Sequence, residues 1–173
     1  MWQQINRPPT AAEVEIIAQQ LGRAPKGLAK ITAITNSGRP LAVQVSPLVE
    51  GKPFPTFYWL SCPQLVKEIA HLEAAGVIKQ LEDRLKEDAE LLAAYKLSHE
   101  NYIKERWQAM SAATKQQVEA LGFTELFNTR GVGGIANWQQ VRCLHTQYAH
   151  HLSSSNAIGQ LLDADFSLAS FLT

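Results

Sequence analysis

The fold is decided by the stretch Gly27–Val45, which reads GLAKITAITNSGRPLAVQV. Residues 27–35 are rich in β-branched and apolar side chains, which is typical of a strand. Residues 36–40, Asn-Ser-Gly-Arg-Pro, have the composition of a turn. Residues 41–45 then alternate between larger apolar side chains and Ala or Gln, as a half-buried strand does. The stretch therefore predicts an antiparallel hairpin.

A third strand follows at residues 56–60, Thr-Phe-Tyr-Trp-Leu. Side chains alternate between the two faces of a strand, so Phe57 and Trp59 share one face and Tyr58 lies on the other. We interpret these aromatic residues as core rather than as a binding platform. With the hairpin, they predict a small antiparallel three-stranded sheet over about residues 27–60.

Apolar residues at helical spacing predict that several helices pack on this sheet, so the fold class is α+β. The predicted helices cover residues 11–21, 63–75, 77–107, 111–121, 138–152 and 157–162. The helix over 77–107 is long and charged, with one apolar stripe that can pack on the sheet, on a protein partner or on a second copy of the chain.

The bulk properties narrow the class of protein. A length of 173 residues predicts one domain over 1–173; we expect loosely ordered tails at residues 1–9 and 165–173. Basic and acidic residues balance at 16 each, which argues against a nucleic-acid partner. No apolar run approaches the ~20 residues of a membrane span. Two cysteines and no apolar leader predict a cytoplasmic protein with free thiols.

Three segments resemble one known family when taken together. They are residues 51–63, residues 72–77 (Leu-Glu-Ala-Ala-Gly-Val), and residues 128–134 with Val-Arg-Cys-Leu-His at 141–145 and Ala-His at 149–150. The combination is similar to the bacterial family catalogued as domain of unknown function 501, over roughly residues 25–160. Many members carry Cys-Pro-Cys-Gly where this chain has Thr-Asn-Ser-Gly at 35–38, which argues against a metal site built on those cysteines. The resemblance implies no activity.

A glycine-rich loop is the first candidate for chemistry. It reads Arg-Gly-Val-Gly-Gly at residues 130–134 and precedes the helix predicted from residue 138. Free amide groups at a helix N-terminus attract anions, and arginine grips a phosphate or carboxylate with two hydrogen bonds. The loop predicts a site for a small anionic ligand; the alternative is a flexible turn that lets helices pack. The ligand-binding residues we expect are Arg130, Gly131, Gly133, Gly134, Arg142 and His150.

The helix predicted over 138–152 carries candidate catalytic residues but makes a poor metal site. Cys143 and His150 are separated by about 10.5 Å of helical rise, and His145 and His150 point about 140° apart. A metal site would need another ligand folded against this helix, such as Cys62. We therefore assign no metal residue, and the cofactor stays unknown.

The catalytic alternatives use histidine and cysteine. His145 can act as a general acid or base because the pKa of histidine lies near neutrality. Cys143 or Cys62 can act as the nucleophile; Cys62 opens the helix that begins at Pro63, where the helix dipole lowers a thiol pKa. The alternative for Cys62 is a small apolar residue in the core. We expect His71 and His99 at the surface, without a role.

Three functions follow from these patterns. The first is an uncharacterised binding protein that recognises a small anionic ligand, or a protein partner, at the cleft formed by the glycine loop, the arginines and His145. The second is a small metabolic enzyme at that cleft. The third is an interaction protein that binds a partner or a second copy through residues 77–107.

Overall fold

The computed structural model describes residues 2–172. Its strands are β1 (Trp2–Arg7), β2 (Leu28–Thr35), β3 (Pro40–Val45), β4 (Leu48–Val49), β5 (Lys52–Pro53) and β6 (Tyr58–Leu60). Four of them form an antiparallel sheet in the order β1-β2-β3-β6, and β4 and β5 form a separate antiparallel ribbon. The predicted α+β class, the hairpin and the third strand are confirmed; the sheet is larger than predicted by one strand.

Helices follow and flank the sheet. They are α1 (Ala11–Leu21), α2 (Pro63–Ala74), α3 (Val77–Glu87), α4 (Ala89–Ala109), α5 (Ala112–Ala120), α6 (Thr124–Thr129), α7 (Leu144–Ser153) and α8 (Ala157–Phe166), with single 3₁₀ turns at Val132–Gly134 and Leu168–Phe171. A capping box between Thr10 and Glu13 stabilises the start of α1. Within residues 2–172, no helix combines the length and apolar character needed to cross a membrane.

The two faces of the sheet pack against different helices. On one face, Ile31, Val43 and Trp59 lie side by side across three strands, and Ile17 of α1 packs on this row. On the other face, the buried side chains join the main core with α2, α3, α4, α7 and α8. Strand β6 is one of the two edge strands of this sheet, and a cleft lies beside it near the end of α1 and the start of α2.

Residues 2–7 form a strand, whereas we expected a loosely ordered tail over residues 1–9; Met1 and Thr173 lie outside the described residues. Strand β1 pairs antiparallel with β2, with Trp2 opposite Thr35, and its register shifts between Gln4 and Arg7. Its two apolar residues pack on opposite faces of the sheet, Trp2 against the main core and Ile5 against the cluster around Ile17. Neither face therefore shows the repeated apolar positions by which a strand is recognised. At the other end, Leu168 and Leu172 are buried in the main core, although residues 165–173 were also expected to be loose.

The predicted helix over 77–107 is divided in the structure into α3 and α4. Asp88 separates them with an extended backbone (φ −115°, ψ 100°). Its carboxylate accepts a hydrogen bond from the amide of Leu91 at 2.9 Å and so caps α4. Aspartate at an N-cap stabilises a new helix start, and this local preference ends the longer helix that the apolar stripe predicts.

The predicted helix over 138–152 begins six residues later than expected, at Leu144. Asn137 does accept a hydrogen bond from the amide of Gln139, at 3.1 Å, but it closes only a turn. Cys143 precedes the helix with a left-handed backbone (φ 53°), which no α-helix continues through. The glycine loop therefore does not lead into a helix N-terminus.

Candidate functional site

The glycine loop at residues 131–134 is closed by the chain's own atoms. The amide of Gly131 donates to the Ile135 carbonyl at 2.9 Å, and the amide of Gly134 donates to the Gly131 carbonyl at 3.0 Å. The amide of Val132 donates to Nδ1 of His99 at 3.0 Å. Two of the amides that we expected to face an anion, those of Gly131 and Gly134, are thus used inside the protein, as is the neighbouring amide of Val132.

His99 is fully buried, contrary to the surface position that we expected. Its ring stacks on Trp138, with the ring centroids 5.0 Å apart. Burial, and secondarily the charge of His150, lower the pKa of His99 to about 3. The ring is therefore neutral at ordinary pH, which allows Nδ1 to accept the hydrogen bond from Val132.

Arg106, which sequence reasoning missed, binds the backbone next to the glycine loop. It is fully buried, and its guanidinium donates to the carbonyl oxygens of Pro55 (2.6 Å), Arg130 (2.7 Å) and Phe127. The backbone of Arg130 is thus fixed, while the residue itself is exposed, as is Arg142. Neither of the two predicted arginines lines the cleft of about 530 Å³ described below.

His150 lies in a different buried network. Nδ2 of Asn156 lies 3.2 Å from Nδ1 of His150, and Nε2 of His150 lies 3.3 Å from the carboxylate of Glu105. Its ring stacks on Tyr58. Because an amide nitrogen only donates, Nδ1 accepts and Nε2 carries the hydrogen that faces Glu105. The structure therefore separates His150 from His145.

The two cysteines differ in access. Cys62 is 5% exposed and packs in the main core, where it precedes α2 without a capping hydrogen bond from its side chain. Cys143 is half-buried at the start of α7. Of the two predicted nucleophiles, only Cys143 has a polar environment.

Cys143 and His145 do meet, and they meet a third residue that sequence reasoning missed. The sulfur of Cys143, a ring nitrogen of His145 and a carboxylate oxygen of Glu73 all lie within 4.8 Å of one another. Oε1 of Glu73 lies 3.3 Å from Nδ1 of His145 and accepts a hydrogen bond from the amide of Leu144 at 2.7 Å. We call these three residues the Glu73–Cys143–His145 cluster.

The backbone at Cys143 explains this meeting. Residues i and i+2 of a regular helix point about 160° apart, so their side chains diverge. Here the helix starts only at Leu144, and the left-handed Cys143 turns its side chain back toward the first turn. A left-handed backbone costs a non-glycine residue about 1–2 kcal/mol, which the surrounding contacts must offset.

Electrostatics couple the three side chains. The pKa of His145 is raised to about 9, and the largest cause is its hydrogen bond with Cys143. Burial lowers this pKa, whereas the hydrogen bond with the Val66 carbonyl and the charge of Glu73 raise it further. Burial acts to raise the pKa of Cys143, but hydrogen bonds with His145 and Thr146 outweigh it and leave that pKa below its usual value.

A cleft of about 530 Å³ opens beside the cluster. It lies between the end of α1, the edge strand β6, the start of α2 and the start of α7, and His145 and Thr146 form part of its wall. Its apolar wall consists of Leu21, Trp59, Leu60, Pro63, Val66 and Ala70. Trp59 thus lines a cavity instead of serving only as core.

The polar part of the cleft is basic. Arg23 and Lys67 line it, and no aspartate or glutamate occurs among its lining residues. The guanidinium carbon of Arg23 lies 5.1 Å from the centre of the Trp59 ring. A cavity with apolar walls and unopposed cations favours an anionic ligand with an apolar body.

Comparison with known proteins gives a family and no activity. The family model described as "Protein of unknown function (DUF501)" matches residues 31–164, more than half of the chain. Neither the search of curated proteins nor the search of solved structures gave a match. The matched range includes all three residues of the cluster and most of the cleft.

Proposed function

The chain belongs to the DUF501 family of proteins of unknown function, and we propose that it binds a small molecule with an apolar body and a carboxylate or phosphate group in the cleft beside β6. One observation carries this proposal: the lining combines two cationic side chains with a continuous apolar wall and includes no acidic residue. The ligand class agrees with the one predicted for the glycine loop, but the location differs.

The size and walls of the cleft suit a small organic molecule. A volume of about 530 Å³ falls within the roughly 300–1,000 Å³ that is usual for ligand pockets. Val66 is 37% exposed and Trp59 is half-buried, so both have apolar surface that a ligand can cover. Covering such surface stabilises a complex by about 25 cal/mol per Å².

The cations supply selectivity for negative charge. Arg23 and Lys67 extend from different elements, the end of α1 and the first turns of α2, so they approach a ligand from two sides. Stacking on Trp59 orients the Arg23 guanidinium, whose paired N–H groups match a carboxylate or phosphate. Ser61, 1% exposed, also lines the cleft, and its Oγ has no hydrogen-bond partner within residues 2–172.

Calorimetry with a charged probe and its uncharged twin tests this proposal. Naphthaleneacetate and naphthaleneacetamide share one apolar body, and only the first carries a carboxylate. We expect the acid to bind the protein at least about tenfold more tightly than the amide, a difference of about 1.4 kcal/mol. The double variant Arg23→Gln, Lys67→Gln should remove this preference.

The control is a second double variant, Arg39→Gln with Lys104→Gln. It removes the same charges from exposed positions that do not line the cleft, so the preference for the acid should persist. Equal affinity for acid and amide in the unmodified protein would contradict the proposal. An equal loss of preference in both double variants would show that only net charge matters, which would also refute it.

A further inference from the structure

The contacts of His145 show which ring nitrogen faces the other two side chains. Nε2 lies 3.0 Å from the carbonyl oxygen of Val66, and because a carbonyl oxygen only accepts, Nε2 carries a hydrogen. Nδ1 lies 3.3 Å from Oε1 of Glu73. It carries the second hydrogen when the ring is protonated, and it has the lone pair that can bind a metal ion when the ring is neutral. The close approach of Nδ1 and the carboxylate therefore suits either a shared proton or a metal ion between them.

The sulfur of Cys143 makes this set of donor atoms suitable for zinc. Cys143 brings a sulfur within 4.8 Å of both other donors, so the set is one imidazole nitrogen, one thiol sulfur and one carboxylate oxygen. Zinc accepts all three, at about 2.0–2.3 Å, so its ligands lie roughly 3.3–3.8 Å apart in a tetrahedron. The His145–Glu73 pair has this spacing, and the sulfur lies within 4.8 Å of both other donor atoms.

The residues around the cluster hold the ligands as a metal site requires. A histidine that binds a metal usually donates its other N–H to a backbone carbonyl or carboxylate, and the Val66 carbonyl has that role here. The Leu144 amide holds Oε1 of Glu73 in place at 2.7 Å. The left-handed backbone holds Cys143 at the start of α7. The three ligands come from two helices that pack together.

We propose that the Glu73–Cys143–His145 cluster binds one Zn²⁺ ion through Oε1 or Oε2 of Glu73, Sγ of Cys143 and Nδ1 of His145. Three protein ligands leave one tetrahedral position for water or an anion, as in catalytic rather than structural zinc sites. The charges of the thiolate and the carboxylate cancel the charge of the ion. A site filled with Zn²⁺ therefore has no net charge that would affect an anion in the neighbouring cleft. The proposal is independent of what the cleft binds.

Metal titration of the full chain tests this inference. The protein is first stripped with a chelator; Zn²⁺ is then added in competition with a chromogenic chelator, and Co²⁺ is used separately as a spectroscopic probe. We expect one equivalent of Zn²⁺ to bind and Co²⁺ to give the charge-transfer absorption of a cobalt–thiolate bond. Cys143→Ser should remove that absorption and weaken Zn²⁺ binding by at least about tenfold.

Two further variants make the result decisive. Cys62→Ser removes the other thiol, which lies in the core, and should leave both signals intact. Glu73→Gln keeps an oxygen that accepts from the Leu144 amide, so the fold is preserved while the carboxylate ligand is lost; Zn²⁺ binding should again weaken at least about tenfold. The inference is overturned if no stoichiometric Zn²⁺ is taken up, or if Cys143→Ser and Cys62→Ser behave alike.

Discussion

Replacement of His99 by glutamine should remove a defined part of the pH dependence of stability. His99 is buried without charge, and its pKa falls from the usual value near 6.5 to about 3. At a pH between these two pKa values, His99 is protonated in the unfolded chain but not in the folded protein. The free energy of unfolding therefore decreases by about 1.4 kcal/mol for each pH unit below about 6.5. At about pH 4.5 the loss is roughly 2–3 kcal/mol.

Glutamine isolates this contribution because it cannot ionise and its side-chain oxygen can still accept from the amide of Val132. The other titrating groups, including His150, whose charge contributes to the shift, are present in both proteins. Urea unfolding followed by circular dichroism at about pH 7 and about pH 4.5 gives the difference directly. We expect the unmodified protein to lose roughly 2–3 kcal/mol more than His99→Gln over this interval.

An exposed histidine provides the control for this measurement. His71 is exposed on α2, so His71→Gln should keep the full pH dependence of the unmodified protein. If His99→Gln and the unmodified protein lose the same stability on acidification, His99 is not held uncharged. The explanation given above for the closed glycine loop would then fail.

Three further tests by urea unfolding concern the packing around the loop and the first helix. Arg106→Met fills a similar volume but removes the guanidinium donor from three backbone carbonyls, and the Pro55 carbonyl keeps a second donor, the Tyr102 hydroxyl. We expect a loss of about 3 kcal/mol or more; less than about 1 kcal/mol would contradict the role given to this guanidinium. Gly133→Ala places a Cβ atom 2.8 Å from the carbonyl oxygen of Arg142, whereas Gly38→Ala, also at a positive φ, meets open space. We expect a loss of about 1 kcal/mol at Gly38 and clearly more at Gly133, and equal losses would refute the clash. Thr10→Ala should cost about 1 kcal/mol by breaking the capping box, and Thr10→Ser should cost little.

The elements that could be predicted from sequence are those whose patterns are local. The hairpin β2–β3 and strand β6 follow from alternation and turn residues that are contiguous in the chain. Strand β1 was missed because it has only two apolar residues, Trp2 and Ile5, and they pack on opposite faces of the sheet. The break between α3 and α4 was missed because one capping aspartate, Asp88, outweighs an apolar stripe that continues past it.

The candidate site was predictable only in part because its residues come from distant segments. Cys143 and His145 were recognised as reactive side chains, but their meeting depends on one left-handed residue at the start of α7. Glu73 lies 70 positions before Cys143 in the chain, and nothing in its local sequence marks it as a ligand. The glycine loop was misleading because its partner, His99, lies on α4 and comes from more than thirty positions earlier.

The tryptophan side chains offer the most direct test of where the ligand binds. The chain has four tryptophans; Trp59 lines the cleft, and the Trp138 indole donates to the Ile135 carbonyl beside the glycine loop. The measurement is the ¹⁵N–¹H spectrum of the indole groups during titration of the metal-stripped protein with naphthaleneacetate. We predict that the Trp59 signal shifts and saturates while the Trp138 signal stays in place. A shift of Trp138 with Trp59 unmoved, or no shift in either, would contradict binding in the cleft.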